Sequence, residues 1–262
     1  MKDKLSKGKI VKIKEVKVGG NKPIIIAGPC SIESREHIVD EALSLKEIGV
    51  DILRGGAFKP RTSPFDFQGL GFEAVKYLKE ASEKSNLPIV TEVLSEEHVE
   101  KMKDYVDAFQ IGSRNMYNYA LLKKVGKTMK PIILKRGFSA TLREWEMAAK
   151  YIEAEGNENI IFCERGIRTF ETELRNTLDL AGAYLLKEKT GYPVIVDPSH
   201  GTGKRELIFP MVKAALALGL DAVMIEVHPN PDEAMSDAAQ TIDYKTYEKI
   251  AKYVGEFNEN RI

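Results

Sequence analysis

Two kinds of reactive side chain recur along this 262-residue chain. Cys30, His200, Glu226 and Asp237 are metal-ligand types, and Arg54, Lys59, Arg61, Arg114, Lys135 and Arg165 are cations. A thiolate, an imidazole and two carboxylates mix soft and hard donors, which suits a divalent transition metal rather than calcium. Six cations gathered at one place repel one another unless anions fill it, which implies a ligand bearing phosphate or carboxylate groups. The stretch VDPSHGTGKRE at 196–206 first suggests a nucleotide loop. That reading fails, because Pro198 stands where the first glycine of a P-loop belongs and Arg205 where Ser or Thr must follow the lysine. Asp197 and His200 then carry the chemistry of the stretch, Gly201 and Gly203 shape a tight loop, and Lys204 remains a rim charge.

The elements that must position these residues are eight short apolar, β-branched runs, at 23–28, 50–55, 87–93, 106–112, 131–137, 159–166, 192–198 and 221–227. Near-continuous apolar runs read as strands buried on both faces. Amphipathic helices are expected between and after them at 35–48, 71–84, 96–105, 117–127, 142–155, 171–187, 205–218 and 244–257. Gly49 and Gly219 suit left-handed caps that end helices before the next strand. Eight βα units in about 250 residues give the rhythm of an α/β (β/α)8 TIM barrel, as a single domain over 23–262. A doubly wound sheet is the alternative, but its G-x-G-x-x-G fingerprint is missing after the first strand. Residues 1–22 read as an N-terminal β extension, whose alternating KIVKIKEVKVGGN forms a strand or hairpin capping the barrel bottom.

Active sites of such barrels lie at the C-terminal strand ends. Read in order, those ends supply Cys30; Arg54, followed by Lys59 and Arg61; Glu92; Gln110 and Arg114; Lys135 and Arg136; Glu164 and Arg165; Asp197 and His200; and Glu226 and His228, with Asp237 close behind. Both reactive sets therefore fall on one rim.

The segments GPCSIES, RGGAFKPRTSPFDFQGLG, QIGSRNMYN, LKRG, CERGIRTFE, DPSHGTGKRE and IEVHPNPDEAMSD together resemble 3-deoxy-D-arabino-heptulosonate 7-phosphate (DAHP) synthase. The likeness is to the short microbial branch related to 3-deoxy-octulosonate 8-phosphate synthase, and it spans nearly everything beyond about residue 20. It implies an aldol-like condensation of phosphoenolpyruvate with erythrose 4-phosphate, the first step of the shikimate pathway. Matched motif by motif, it makes Cys30, His200, Glu226 and Asp237 the ligands of one divalent ion of the Mn, Fe, Co or Zn class. It assigns Arg54, Lys59, Arg114, Lys135 and Arg165 to the phosphate and carboxylate of phosphoenolpyruvate, and Pro60, Arg61 and Thr62 to the aldose phosphate. Lys135, His200, Cys30 and Asp237 form the catalytic group, with Lys135 a candidate proton donor whose pKa neighbouring cations would lower.

Plainer readings stand beside these. Cys163 and Trp145 read as packing, as do Tyr117 and Tyr119, which could also meet a second subunit. His37 and His98, in helical segments, read as surface residues. Arg143, Arg168 and Arg175 read as surface or interface pairs in preference to rim anchors. His228, two residues past Glu226 on the same side of a strand, is a candidate contact to substrate or to a ligand residue.

The 39 basic and 39 acidic residues give no general attraction for nucleic acid or anionic membrane. Two cysteines suit a reducing cytoplasm, and no run is long enough to span a bilayer. The family likeness implies a homodimer or homotetramer. With no segment left for a regulatory domain, insensitivity to Phe, Tyr and Trp is expected. The rivals are the octulosonate phosphate synthase, which uses arabinose 5-phosphate but typically has a K-A-N-R-type loop where this chain has K-P-R-T, and a non-catalytic phosphometabolite-binding barrel.

Overall fold

Alternation along eight short strands divides the apolar residues between two cores. The computed structural model describes residues 8–259. A hairpin of β1 (Val11–Ile13) and β2 (Val16–Val18) precedes the barrel strand β3 (Ile24–Gly28). There follow α1 (Arg35–Ile48), β4 (Ile52–Arg54), α2 (Phe72–Ser85), β5 (Ile89–Glu92), α3 (Glu96–Met102) and β6 (Ala108–Ile111). The chain continues through α4 (Tyr119–Gly126), β7 (Ile132–Lys135), α5 (Leu142–Glu153), β8 (Ile160–Glu164), α6 (Leu180–Thr190) and β9 (Val194–Val196). It ends with α7 (Pro198–Thr202), α8 (Arg205–Ala217), β10 (Ala222–Glu226) and α9 (Tyr244–Glu259). Strands β3 to β10 pair in parallel in chain order, and β10 closes on β3, giving the expected (β/α)8 barrel.

Inward residues such as Ile26, Ile52, Val90, Ile133, Ile161, Ile195 and Met224 form one buried cluster, and Val11, Ile13 and Val18 of the hairpin join it. The N-terminal hairpin thus closes the end of the barrel interior; residues 1–7 of the expected extension lie outside the described part. Outward residues such as Leu53, Phe109, Leu134, Phe162 and Ile225 pack with the helices in a second cluster. A period of two fixes what comes next. One step past Ile52, Ile133, Ile195 and Met224 stand Arg54, Lys135, Asp197 and Glu226, inward at the top of the barrel.

The local signals act as expected at several ends. Ser34 caps α1 by accepting from His37 N, and Thr141 and Glu144 form a capping box on α5. Gly49, at φ 115°, ends α1 in the left-handed region.

The helix expected at 171–187 is corrected: α6 begins at Leu180, capped by Asp179, which accepts from Gly182 N. Upstream, the backbone makes non-local hydrogen bonds, from Arg175 N to Thr202 O, from Asn176 N to Gly201 O and between Ile167 and Thr177. Those bonds replace a helical ladder. The segment after Asp197 is not merely a tight loop. It is the single helical turn α7, closed by Gly203 at φ 71°.

Candidate active site

The seven cavity-facing cations and their neighbours are held by strand ends and by the loops after β4, β6, β8 and β10. Arg54, Lys59, Pro60, Arg61, Thr62, Arg114, Lys135 and Arg165 all line one cavity, together with Glu92, Gln110, Phe138, Arg175, His200 and Asp237. Cys30 lines a small adjoining recess with Arg54 and Lys59. Glu226 is buried against Arg54, whose Nη1 donates to its Oε1 at 2.9 Å.

The expected mutual repulsion is offset more than the sequence suggested. Lys135 Nζ lies 2.6 Å from Asp197 Oδ2, Arg61 3.2 Å from Asp66, and Lys59 2.8 Å from Cys30 Sγ and 3.8 Å from Asp237. Lys135 therefore sits beside an anion and not only among cations. Arg114 and Arg165 differ. They stack on Phe138 at 5.5 and 4.7 Å, and the buried Nη1 of Arg165 has no hydrogen-bond partner. A buried guanidinium nitrogen left in this way favours an incoming anion.

Among the described residues, one donor atom each from Cys30, His200, Glu226 and Asp237 lies within 4.8 Å of the others. Four donors about 2.0–2.3 Å from a common ion in a tetrahedral site lie about 3.3–3.8 Å apart. Separations of 3.0 Å (Cys30 Sγ–Asp237 Oδ2), 3.4 Å (His200 Nε2–Glu226 Oε1) and 3.7 Å (His200 Nε2–Asp237 Oδ2) are close to that spacing, so this cluster fits a transition metal. His200 is fixed by Asp197, which accepts from its backbone N at 2.9 Å and meets its Nδ1 at 2.7 Å. Nδ1–H then donates, leaving Nε2 free toward the cluster, 3.4 Å from Glu226 Oε1 and 3.7 Å from Asp237 Oδ2.

Electrostatics agree with that arrangement. Burial works against the Asp197 charge, yet His200 and Lys135 hold its carboxyl well below the usual range. Burial likewise opposes the charge on Glu226, but His200 and Arg54 bring its carboxyl down to about 2. Burial, reinforced by Glu226, pushes the Cys30 thiol up, against the pull of Lys59. A metal held by Cys30 would therefore have to displace a proton.

A model of the DAHP synthetase I family matches residues 6–261. The chain belongs to that family. A phospho-2-dehydro-3-deoxyheptonate aldolase from Thermotoga maritima is 46% identical over 93% of this chain and 72% of its own length. A 2-dehydro-3-deoxyphosphooctonate aldolase from Fusobacterium nucleatum is 31% identical, with 95% of each chain covered. The crystal structure of the Thermotoga maritima DAHP synthase superposes with a TM-score of 0.93 at 44% identity, over 97% of this chain and 74% of that one. A truncated form of the 3-deoxy-D-arabino-heptulosonate 7-phosphate synthase of Thermotoga maritima gives 0.90 at 40% identity, over 97% and 93%. No helix among the described residues is long and apolar enough to cross a membrane.

Several residues of this DAHP synthetase I chain stand elsewhere than their sequence context suggested. Arg175 is a rim residue, with Nη1 on Asp237 Oδ1 and Gln240 Oε1. Neither His37 nor His98 is a free surface residue: His37 packs on His228 and Glu41, and His98 stacks on Phe58 at 3.8 Å. Tyr117 and Tyr119 are 45% and 42% exposed, and Tyr119 packs by stacking on Tyr151 at 4.2 Å. Trp145 and Cys163, by contrast, are fully buried packing residues as expected, Trp145 donating to Leu134 O and Cys163 facing the barrel interior. Arg136 points out of the barrel onto Glu164 and Asp179.

Glu33, His37 and His228 form a second cluster of ligand-type atoms. Asn230 N donates to His228 Nδ1 at 3.0 Å, which places the ring proton on Nε2, facing Glu33 Oε2 at 3.5 Å. That tautomer leaves His228 no lone pair for a metal, and its buried Nε2 has no hydrogen-bond partner. Gln240 was missed altogether. It follows no strand and carries no charge, so neither periodicity nor residue type marks it.

Proposed function

We propose that this chain condenses phosphoenolpyruvate with erythrose 4-phosphate and water to give 3-deoxy-D-arabino-heptulosonate 7-phosphate and inorganic phosphate. The observation that carries this reading is the meeting of eight candidate anion-binding residues and the four-donor cluster at one cavity. Family membership supports it. Arg114 and Arg165 hold the phosphate of phosphoenolpyruvate, where the unpartnered Arg165 Nη1 gains a charged acceptor. Arg54, Lys59 and Lys135 complete the site for its phosphate and carboxylate. Arg61 and Thr62 take the aldose phosphate, with Pro60 restricting the backbone between them and Lys59.

Cys30, His200, Glu226 and Asp237 hold the divalent ion, of the Mn, Fe, Co or Zn class, which when bound supplies Lewis-acid polarisation of the aldehyde. The methylene carbon of phosphoenolpyruvate bonds to the aldehyde carbon, and positive character develops at the carbon bearing the phosphate ester. Water adds there, and phosphate leaves by C–O cleavage. Lys135 holds a proton at Nζ within reach of the cavity and gives it to the aldehyde oxygen as that becomes a hydroxyl. Asp197, bonded to both Lys135 and His200, fixes the two in register. The homodimer or homotetramer expected of the family is part of this proposal. Phe65 and Phe170, 96% and 98% exposed on the loops that supply Asp66 and Arg175, are surfaces such an assembly would cover.

The test is acceptor choice. With Mn²⁺ present, phosphoenolpyruvate consumption is followed with erythrose 4-phosphate or arabinose 5-phosphate. Preference for the four-carbon sugar is expected; preference for the five-carbon sugar would assign the octulosonate reaction instead.

A further inference from the structure

Each carboxylate of the four-donor cluster has two oxygens, and in each case the one turned away from the cluster is held by Gln240 or Arg175. Gln240, 2% exposed, donates from Nε2 to Glu226 Oε2 at 2.6 Å. Its Oε1 accepts from Arg175 Nη1 at 2.5 Å, and the same Nη1 reaches Asp237 Oδ1 at 3.2 Å. The opposite oxygens are the ones turned to the cluster. Glu226 Oε1, which also accepts from Arg54 Nη1 at 2.9 Å, faces His200 Nε2 at 3.4 Å, and Asp237 Oδ2 faces Cys30 Sγ at 3.0 Å.

We propose that Arg175 and Gln240 are positioning residues that hold one oxygen of Glu226 and one of Asp237 aside, so that each carboxylate offers a single oxygen to the metal. This rests on the ligand set of the proposed function. The chemistry of the amide fixes its orientation: the carboxylate requires a donor and the guanidinium an acceptor, so only a side chain with both fits between them.

Two further observations place Arg175 at the centre of the device. Its backbone N donates to Thr202 O, and the next residue bonds Gly201 O through its backbone and His200 O through Asn176 Nδ2. The segment is therefore stitched to the turn carrying His200. Asp237 stands at φ 53°, a left-handed conformation that costs a non-glycine residue free energy and persists only when its surroundings enforce it. Arg175 on its side chain, with Thr241 Oγ1 donating to its carbonyl, supplies that enforcement. One strut thus ties three ligands together, which is the way groups behind a metal's ligands set geometry and affinity.

The test compares Gln240→Leu, Arg175→Met and Arg175→Lys with the wild-type enzyme by Mn²⁺ titration, by the absorption spectrum of the Co²⁺-loaded protein, and by KM for phosphoenolpyruvate at saturating metal. Gln240→Leu and Arg175→Met are expected to weaken Mn²⁺ binding by about 10- to 100-fold and to alter the Co²⁺ spectrum. KM should stay within about twofold in Gln240→Leu, because Gln240 does not line the cavity, and Arg175→Lys should restore part of the affinity lost in Arg175→Met. Wild-type metal affinity and spectrum in Gln240→Leu and Arg175→Met would overturn the proposal. Glu226→Gln, measured in parallel, separates the causes: if it weakens the metal while the strut variants do not, the strut alone is wrong. If it too leaves the affinity unchanged, the ligand set fails and the strut with it.

Discussion

Arg136→Met should destabilise this protein by about 3–5 kcal/mol, although Arg136 touches nothing in the cavity. Arg136 Nη1 lies 2.9 Å from Glu164 Oε2 and 2.8 Å from Asp179 Oδ2, and its Nε donates to Ala140 O at 2.9 Å. The Glu164 side chain has 0% of its surface exposed and keeps one other partner, Gly166 N at 2.6 Å. Burial already raises its carboxyl above the usual range against the pull of Arg136. Removing the guanidinium leaves that carboxylate buried without its counter-charge, which is the costly way to break such a pair. The Gly166 bond remains, so the lower half of the range is expected.

Equilibrium unfolding in guanidinium chloride reads the loss. Arg136→Met combined with Glu164→Gln should recover part of it, with a coupling of about 1–3 kcal/mol. The pair also bridges β7 and β8 one residue from Lys135 and Arg165, so the single variant should raise KM for phosphoenolpyruvate as well. A single variant within about 0.5 kcal/mol of wild type, or a double variant equal to the sum of the singles, would refute the reasoning.

Glu41 gives a pH prediction. Burial pushes its carboxyl up to about 7 from 4.5, against the pull of His37. The folded state therefore holds this proton more tightly, and the stability it contributes is present below pH 4.5 and lost as pH rises through about 7. Glu41→Gln should gain on wild type by up to about 3 kcal/mol in unfolding free energy between pH 4.5 and pH 8, and a constant difference would contradict the shift. Arg165→Ala should raise KM for phosphoenolpyruvate by about 30-fold or more if Arg165 is a charged partner of the substrate phosphate, as proposed; steady-state kinetics showing less than about threefold would remove it from the anion site. Lys135→Met should cut kcat by about 100-fold or more while single-turnover binding of erythrose 4-phosphate persists, and near-normal kcat would exclude Lys135 as proton donor.

What the sequence showed and what it hid follow from how each residue is positioned. Arg54, Lys135, Asp197 and Glu226 were legible because each continues an inward period of two from an apolar strand residue. Cys30 and His200 were legible from type and from nearness to strand ends. Arg175 and Gln240 sit in irregular segments, where bonds to distant backbone fix the chain, so no local period marks them. The same cause misled the helix expected at 171–187, whose composition is helical but whose backbone bonds reach Thr202 and Gly201. The cap at Asp179, three residues before Gly182, was a readable signal of the true start. His37 was placed on the surface although Glu41, one turn on, lies on the face of Ile38, Ala42 and Leu45, and a carboxylate there needs a partner.

The most direct test of the account is phosphate release from phosphoenolpyruvate and erythrose 4-phosphate by metal-stripped enzyme, before and after Mn²⁺ is restored, in wild type and in Cys30→Ser. The account predicts no turnover without metal, full turnover on its return to wild type, and little return in Cys30→Ser at the same metal concentration. Turnover by the stripped enzyme, or full rescue of Cys30→Ser at wild-type metal affinity, would contradict it.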